Sequence, residues 1–315
     1  MNLDEEIKKA KSICITGHIN PDGDCVGSNL GMYNYILNMY NDKEVDVYLQ
    51  KPNIKFSFLK GFENIISMNC NNKNYDLCIL LDSSSMDRTG EFEKYLRNAT
   101  TLIILDHHKT NNITSKYAII KEDASSTCEV CFDLMNKQYI NKFVAECLYL
   151  GIIHDTGVFR FKTTSPHTME IASFLMQKDI DFNYIQEETF YTKTFYQQIV
   201  TGFCLQRLKR YYDNKVVYTY LTLKEQADFH VGKKDIDNII AYIRETKGIK
   251  CAIFAYEITR GEYKVSLRSN DDNLDVSEVC LNFKGGGHKL AAGGNIKAQS
   301  EEIIEILLQE IKKQI

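Results

Sequence analysis

The sequence lacks several features that would place it in a specialised class of protein. It has no tryptophan and only 3 prolines among 315 residues, with 44% hydrophobic and 25% charged residues. That balance is typical of a globular protein and argues against a disordered or fibrous chain. The length corresponds to one large domain or two ordinary ones, at about 100–200 residues per domain.

Long apolar runs and an excess of positive charge are also missing. The longest uncharged apolar stretches, such as residues 101–105, are far shorter than the about 18 residues of a membrane span. The net charge of -4 provides no broad basic face for duplex DNA, although a few cations can still bind a small anionic substrate. The acidic N-terminus is unlike a signal or transit peptide. We therefore expect a cytoplasmic protein that binds neither membranes nor duplex DNA.

The ten cysteines are scattered and do not resemble the disulfide framework of a small secreted domain. Cys128 and Cys131 form a single C-x-x-C, without the second ligand pair that a structural zinc site requires. A redox or metal role stays open for this pair, but the neighbouring residues favour one face of a helix and ordinary packing.

Short apolar runs alternate with helical spacing over the first 160 residues. Buried parallel strands are continuously apolar, and this pattern recurs at residues 12–16, 44–49, 77–81 and 102–105. Helical spacing covers residues 30–39, 91–96, 145–153 and 168–176. The alternation predicts an α/β fold with a doubly wound, mostly parallel sheet.

The pattern restarts near residue 210. Strand-like runs cover residues 215–223, 251–258 and 263–267, helical spacing covers 236–243 and 301–311, and a glycine-rich loop is expected at 285–294. Residues 195–209 favour a bridging helix. We expect a catalytic domain over residues 1–190, a helical linker over 191–210, and a smaller α/β domain over 211–315, with the active-site cleft between the two domains.

Aspartate and histidine residues follow the ends of three predicted strands and one predicted helix. In chain order they are His18, Asp22 and Asp24, then Asp82, then Asp106, His107 and His108, and finally His154 and Asp155. Ligands bind beyond the carboxyl ends of the strands in an open α/β sheet. Four separate segments are therefore predicted to meet at one rim.

Each segment also has an ordinary structural explanation. Residues 21–24 (PDGD) form a good turn, and Asp82 suits a helix cap. The chain has no glycine-rich dinucleotide loop or P-loop after the first strand, and Tyr33 stands where an EF-hand starting at Asp22 needs glutamate. Together, however, several carboxylates on one rim repel one another unless cations neutralise them. This Asp and His set suits two divalent ions such as Mn²⁺, or Mg²⁺ less readily, and such a pair suits phosphate ester hydrolysis.

Four ordered motifs resemble those of the DHH phosphoesterase family. They are GHINPDGDCVGS (17–28), LLDSSSMDRTG (80–90), LDHHKT (105–110) and GIIHDTGVFRF (151–161). VSLRSN (265–270) and GGGHKLAAGG (285–294) resemble the DHH-associated C-terminal domain. The resemblance covers nearly the whole chain and is nearest to the branch of stand-alone nanoRNases and pAp phosphatases.

This resemblance implies two Mn²⁺ ions, with Mg²⁺ or Co²⁺ as substitutes. The first ion would be held by His18, Asp22 and Asp82, and the second by Asp24, Asp82, His107 and Asp155, so that Asp82 bridges the two. Asp106 would orient His107, and His108 would stabilise charge on the scissile phosphate. Asp82, Asp106 and His108 are therefore the expected catalytic residues.

The resemblance also implies phosphate contacts in the second domain. They comprise Arg268 with Ser269, the backbone amides of Gly285, Gly286 and Gly287, and His288. Arg88 is either a further phosphate contact or a surface ion pair. Two positions depart from the branch. His154 replaces a frequent threonine, as a spare imidazole near the ions or, as we favour, a packed helix residue, and Lys284 replaces a frequent fourth glycine.

The expected activity is Mn²⁺-dependent hydrolysis, by water activated at two metal ions, of very short single-stranded RNA, linear pApA and 3′-phosphoadenosine 5′-phosphate (pAp). A homodimer is also implied by the resemblance. The alternatives are a cyclic-dinucleotide phosphodiesterase, a pyrophosphatase or polyphosphatase of the same family, and a noncatalytic nucleotide sensor. The sensor is disfavoured because every predicted metal ligand is present.

Overall fold

A computed structural model describes residues 2–68, 73–236 and 238–314 of the chain. Its contacts divide the chain into two compact units, Met1–Thr192 and Lys193–Ile315. Among the helices of the described segments, none is long and apolar enough to cross a membrane.

The first unit is built on a six-stranded parallel sheet. Its strands are β1 (Ser12–Thr16), β2 (Glu44–Tyr48), β3 (Ile65–Ile66), β4 (Leu77–Leu81), β5 (Thr101–Asp106) and β6 (Tyr117–Ile120). They lie in the order β3-β2-β1-β4-β5-β6, and every neighbouring pair is parallel. The chain reverses its direction of winding between β1 and β4, which is where α/β sheets open a crevice for ligands. This confirms the predicted α/β fold.

Helices cover this sheet and pack closely on one another. They are α1 (Leu3–Lys9), α2 (Gly23–Met39), α3 (Glu93–Asn98), α4 (Thr127–Leu134), α5 (Lys142–Asp155), α6 (Pro166–Met176) and α7 (Phe182–Gln186). Helices α2 and α5 approach closely because Gly27 has no side chain: a Cβ there would lie 2.5 Å from the Cys147 carbonyl oxygen. Cys128 and Cys131 are fully buried in the core on α4, as the packing interpretation predicts.

The second unit holds a separate six-stranded sheet. Its strands are β7 (Lys209–Tyr211), β8 (Val216–Leu221), β9 (Cys251–Thr259), β10 (Glu262–Ser269), β11 (Gly286–His288) and β12 (Ala291–Lys297), in the order β11-β12-β10-β9-β8-β7. Strands β8 and β9 are parallel, and the other pairs are antiparallel.

Helices cover both faces of this second sheet. They are α8 (Phe195–Gln206), α9 (Leu223–Asp228), α10 (Lys233–Ile236), α11 (Ile239–Arg244), α12 (Val276–Leu281) and α13 (Ser300–Ile311). Helices α12 and α13 share one buried cluster with Val265 and Leu267 of β10. Helices α8, α10 and α11 share another cluster with Phe254 of β9. Val200 and Cys204 of α8, in the segment predicted as a linker, are buried in that second cluster.

Two local predictions in the second unit are wrong. The helix predicted to reach residue 209 ends at Gln206, and Lys209 begins β7. The glycine-rich stretch predicted as a loop is a β-hairpin in which β11 pairs antiparallel with β12. Glycine permits this pairing, because a Cβ on Gly285 would lie 2.1 Å from the Gly293 carbonyl oxygen. Lys284, before the hairpin, has φ 52, the left-handed backbone that favours glycine.

Candidate active site

All six predicted metal ligands meet beyond the carboxyl ends of β1, β4 and β5. Asp22 and Asp24 begin α2, Asp82 directly follows β4, and Asp155 is the last residue of α5. Ligand atoms of Asp24, His107 and Asp155 lie within 4.8 Å of one another, as do those of Asp82, His107 and His108. His18 reaches the same cluster through its Nε2, which lies 3.4 Å from Asp82 Oδ2.

The backbone orients the two imidazoles. The Nδ1 of His18 lies 2.8 Å from the Ile19 carbonyl oxygen, and the Nδ1 of His107 lies 3.4 Å from the Ala124 carbonyl oxygen. A carbonyl accepts only from a protonated nitrogen, so Nδ1 carries the hydrogen in both rings. In the neutral form of each ring, Nε2 is therefore the nitrogen that faces the carboxylates and could bind a cation.

Two of the carboxylates are deeply buried. Asp24 accepts hydrogen bonds from the amides of Thr127 (2.6 Å) and Cys128 (3.0 Å) at the N-terminus of α4, and Asp82 accepts one from the Thr127 hydroxyl (3.1 Å). Burial and the nearby charges of Asp82 and Asp155 raise the pKa of Asp24 well above its usual range. The cluster therefore has an excess of negative charge that a cation would relieve.

The pKa of His107 also indicates an excess of negative charge in the cluster. Burial alone would lower its pKa, but its interactions with Asp155, Asp24 and Asp82 raise the pKa of His107 to about 10. The Nε2 of His107 lies 3.2 Å from Asp155 Oδ2. The position that this nitrogen faces strongly favours positive charge.

Asp22 caps a helix and also faces the metal-ligand cluster. Its Oδ1 accepts the amides of Asp24 (3.0 Å) and Cys25 (3.1 Å), which caps α2. The same oxygen lies 3.9 Å from the Nε2 of His18. A residue that begins a helix can thus also face the cluster.

The structure corrects the role expected for Asp106. Its Oδ1 lies 2.7 Å from the Nδ1 of His108, and its Oδ2 accepts a hydrogen bond from Asn111 at 2.7 Å. The expectation that Asp106 orients His107 is wrong, because Ala124 has that position. Although burial opposes it, the bonds to His108 and Asn111 lower the pKa of Asp106 below its usual range. Asp106 therefore holds His108, the predicted phosphate contact.

One side chain at the cluster, that of Cys25, was not predicted from the sequence. The Sγ of Cys25 lies within 4.8 Å of ligand atoms of both His18 and Asp82, although no cysteine was expected among the ligands. Its place next to Asp24 in the first motif was the only available signal. Burial, followed by the charges of Asp82 and Asp22, raises the pKa of the Cys25 thiol well above its usual range. The thiol is therefore neutral at ordinary pH.

Arg88 lies in the loop after β4. Its carbonyl oxygen accepts the amide of Ile19 at 2.7 Å, so the loop borders the segment that carries His18. The side chain is exposed, and within the described residues no carboxylate pairs with it. The surface ion pair considered as the alternative is therefore not formed.

Arg268 lies on β10 of the second unit. Its Nη1 donates to the Leu267 carbonyl oxygen at 2.9 Å, and no carboxylate of the described segments pairs with it. Burial and the neighbouring Arg244 lower the pKa of Arg268 from its usual value. A half-buried guanidinium without an acidic partner is suited to binding an anion.

Some of the other predicted phosphate contacts are bonded within the protein, and the rest are exposed. The Ser269 hydroxyl is buried and bonds to the Asp271 carbonyl oxygen at 2.8 Å, so the expectation that it meets substrate is wrong. The amide of Gly285 donates to the Cys280 carbonyl oxygen at 3.0 Å, which removes it from the predicted anion nest. Gly286, Gly287 and His288 are exposed on β11.

The donor set at the first-unit cluster fits divalent cations. It consists of carboxylate oxygens and imidazole nitrogens, which suit hard to borderline ions. The partners of Asp24 and Asp82 within the described residues are imidazoles, backbone amides and the Thr127 hydroxyl. These neutral or titratable partners leave the carboxylate charge available to metal ions.

Comparison with known proteins gives consistent matches over both units. The DHH family, N-terminal domain, matches residues 12–152, and the DHHA1 domain matches residues 213–315. A Streptococcus mutans protein named "Probable bifunctional oligoribonuclease and PAP phosphatase NrnA" is 29% identical and aligns over 98% of this chain and 96% of its own. The bifunctional oligoribonuclease and PAP phosphatase NrnA of Mycoplasma genitalium is 26% identical, with 98% and 95% aligned.

A solved structure matches as well. The exopolyphosphatase-related protein from Bacteroides fragilis superposes with a TM-score of 0.88 at 26% identity, covering 98% of this chain and 94% of that one. The likeness extends over both units.

Proposed function

Because this chain belongs to the DHH family and is a hydrolase of phosphoester bonds in nucleotides, we propose that it hydrolyses very short single-stranded RNA, linear pApA and pAp with the help of two Mn²⁺ ions. One observation carries the proposal: four aspartates and two histidines from separate segments converge where β1, β4 and β5 end. Oligoribonucleotides and pAp are the substrates that the names of the relatives aligned along almost the full chain contain, and pApA is carried over from the family resemblance.

The proposed ligands divide into two sets that share Asp82. His18 and Asp22 complete the first, and Asp24, His107 and Asp155 complete the second. When bound, such a pair of ions clamps the attacking and leaving oxygens of a phosphate ester and lowers the pKa of water to about 7. Co²⁺ accepts the same oxygen and nitrogen donors, whereas Mg²⁺ prefers oxygen and is the poorer substitute.

The protein's own side chains then orient the phosphate. The Nδ1 of His108 donates to Asp106, and this bond raises the pKa of His108; in the protonated ring Nε2 would be the donor that stabilises developing negative charge. Arg268 and His288, with the backbone of Gly286 and Gly287, supply the proposed phosphate contacts of the second unit, and Arg88 is the proposed phosphate contact of the first unit.

The proposal includes a cytoplasmic location and a homodimer. The nine cysteines among the described residues are unpaired thiols, as a reducing compartment would keep them. Light scattering of the purified protein tests the dimer.

A substrate panel tests the proposed activity. We expect the protein with Mn²⁺ to hydrolyse an RNA dinucleotide, pApA and pAp, to lose activity with a chelator, and to regain it when Mn²⁺ is restored. Faster cleavage of polyphosphate would instead favour the alternative suggested by the exopolyphosphatase-related neighbour. Faster cleavage of a cyclic dinucleotide would favour the second alternative, and binding without turnover would favour a nucleotide sensor.

Asp82→Asn tests the shared ligand. Asparagine tolerates the left-handed backbone at this position (φ 55), so the fold is retained while the bridging charge is lost. We expect hydrolysis of every substrate to fall by about 100-fold or more, with lower Mn²⁺ content, because outer partners alone are worth about 10–100-fold. Asp87→Asn, in an exposed position of the same segment, is the control and should change neither. Normal activity in the Asp82 variant would contradict the proposed centre.

A further inference from the structure

His154 lies at the end of α5, next to Asp155, and its ring is held from several sides. The Phe56 ring approaches edge-on with centroids 6.4 Å apart, and the Phe190 ring lies 5.9 Å away. A Cβ on Gly23 would lie 2.5 Å from the imidazole, so the absence of a side chain there makes room for it. These contacts are what a side chain with a role in packing alone would also make.

The polar edge of the ring faces the metal-ligand cluster. The Nδ1 of His154 lies 3.5 Å from Asp155 Oδ1 and 4.0 Å from Asp22 Oδ2. The other oxygen of Asp155, Oδ2, is the one that lies 3.2 Å from His107. His154 thus approaches the outer oxygen of Asp155, while the inner oxygen faces the proposed cation site.

We propose that His154 is a positioning residue that holds Asp155, and with it Asp22, in the orientation needed to bind the proposed pair of cations. The inference rests on the proposed function, since Asp155 and Asp22 belong to different ion sites there. Hydrogen bonds to the outer oxygen of a ligating carboxylate fix its rotation, and losing such a partner costs about 10–100-fold in metal affinity. The phenylalanine contacts restrict the ring, so that its Nδ1 stays directed at the carboxylates.

Two substitutions separate this role from packing. His154→Asn places an amide N–H near the position of Nδ1 and retains the donor. His154→Leu retains much of the apolar volume between Phe56 and Phe190 but has no donor. The positioning role predicts that the asparagine variant binds Mn²⁺ nearly as well as the wild type, and that the leucine variant loses about 10–100-fold in affinity at the ion sites of Asp155 and Asp22.

The measurement is a Mn²⁺ titration of the full chain after chelation, followed by the EPR signal of free aqueous Mn²⁺. Melting temperatures of the metal-free proteins show that the compared variants are folded. Pulsed EPR of the bound ions counts the directly coordinated imidazole nitrogens. We expect the same count in the wild type and in His154→Asn, because the residue acts through Asp155.

Each contrary outcome has a definite meaning. Unchanged affinity in His154→Leu would show a packing role and overturn the inference, as would an asparagine variant as weak as the leucine variant. Loss of one imidazole nitrogen signal in His154→Asn would show direct coordination and also overturn it. Failure of the wild type itself to bind Mn²⁺ would overturn the proposed centre, which distinguishes that failure from a failure of the His154 role alone.

Discussion

Adjacent histidines in the DHH triplet have different partners and therefore different proposed tasks. His107 is oriented by the Ala124 carbonyl and directs Nε2 at three carboxylates, whereas His108 is held by Asp106. Substitution of Asp106 should therefore affect the phosphate contact and spare the metal ligands.

Asp106→Asn tests that separation. The neutral amide weakens the hold on His108, so we expect kcat to fall by about 10–100-fold while bound Mn²⁺ per chain stays at the wild-type value. Steady-state kinetics and elemental analysis of the same preparation measure both quantities. Asp76→Asn is a matched control just before β4 begins, where the carboxylate accepts the amides of Lys11 and Ser12. Loss of Mn²⁺ from the Asp106 variant would show that it supports His107 after all.

The convergence of the segments after β1, β4 and β5 could be predicted from chain order, whereas Asp155 ends the helix α5 and the assignment of metal ligands came from the family resemblance. Residues that follow parallel strands reach the same rim, whatever their side-chain rotamers. The partner of Asp106 and the burial of Ser269 depend on side-chain direction and on the path of a loop. Periodicity carries no information about either, so the sequence could not show them.

Helices α2, α4 and α5 pack closely against one another next to the metal-ligand cluster. A Cβ on Gly151 of α5 would lie 2.2 Å from the Sγ of Cys128 and 2.6 Å from Asp24 Oδ1. A side chain at Gly151 would therefore disturb both the packing of α5 on α4 and the position of the Asp24 carboxylate.

Gly151→Ala should destabilise the protein by about 1–3 kcal/mol, the usual cost of overpacking, and weaken Mn²⁺ binding. Gly202→Ala is the control, since a Cβ at this position of α8 meets nothing within 4 Å. That change should stabilise the protein by about 0.5–1 kcal/mol, because alanine is the better helix former. Denaturant unfolding measures both. Equal effects of the two substitutions would contradict the packing argument.

An ion pair joins α4 to α6 and gives stability a pH dependence. The Nε2 of His167 lies 2.8 Å from Asp133 Oδ1, which raises the pKa of His167 above its usual 6.5. This contribution is fully present below pH 6.5 and is lost as the pH rises through the higher folded-state pKa. The bonds of Asp133 to Lys121 and His167, which outweigh its burial, lower its pKa, so its contribution is lost only in acid.

His167→Gln should therefore cost roughly 0.5 kcal/mol at about pH 5.5 and close to nothing at about pH 8.5, as expected for a half-exposed pair. Unfolding free energies at the two pH values measure the difference. In an Asp133→Asn background the pH-dependent loss should fall to the smaller share of Glu170, whose Oε2 lies 3.7 Å from the Nδ1 of His167. A loss that is the same at both pH values would point to helix packing instead.

Long, strongly patterned helices and strands were predictable, and short or half-buried ones were not. The four buried strands of the first sheet appear where their apolar runs predicted them, while β3 and β6 are short and lack a buried apolar run. The β11–β12 hairpin was missed because glycine contributes no periodicity. Only the partner strand reveals why glycine is needed there.

The two units have separate hydrophobic cores, so metal binding by the first unit and phosphate binding by the second should respond separately to substitution. Arg268 belongs to the second unit, whereas all six proposed metal ligands belong to the first. A defect in one function should leave the other intact.

Arg268→Ala should raise KM by about 10–100-fold, the equivalent of a lost hydrogen bond to a charged group, without changing bound Mn²⁺. The KM of Arg268→Lys should lie between those of the wild type and of Arg268→Ala, because lysine retains the charge and loses the bidentate geometry. Arg260→Ala, an exposed arginine in the turn between β9 and β10, is the control. Loss of Mn²⁺ from the Arg268 variant would refute its assignment to the substrate.

The left-handed backbone at Asp82 has an evolutionary consequence. Few amino acids tolerate that conformation, and asparagine is one of them. A single base change converts an aspartate codon to an asparagine codon. One mutation in this gene would therefore give a protein that keeps the fold and loses the proposed hydrolysis. Such a descendant would keep its nucleotide contacts, which offers a short route from an enzyme to a receptor.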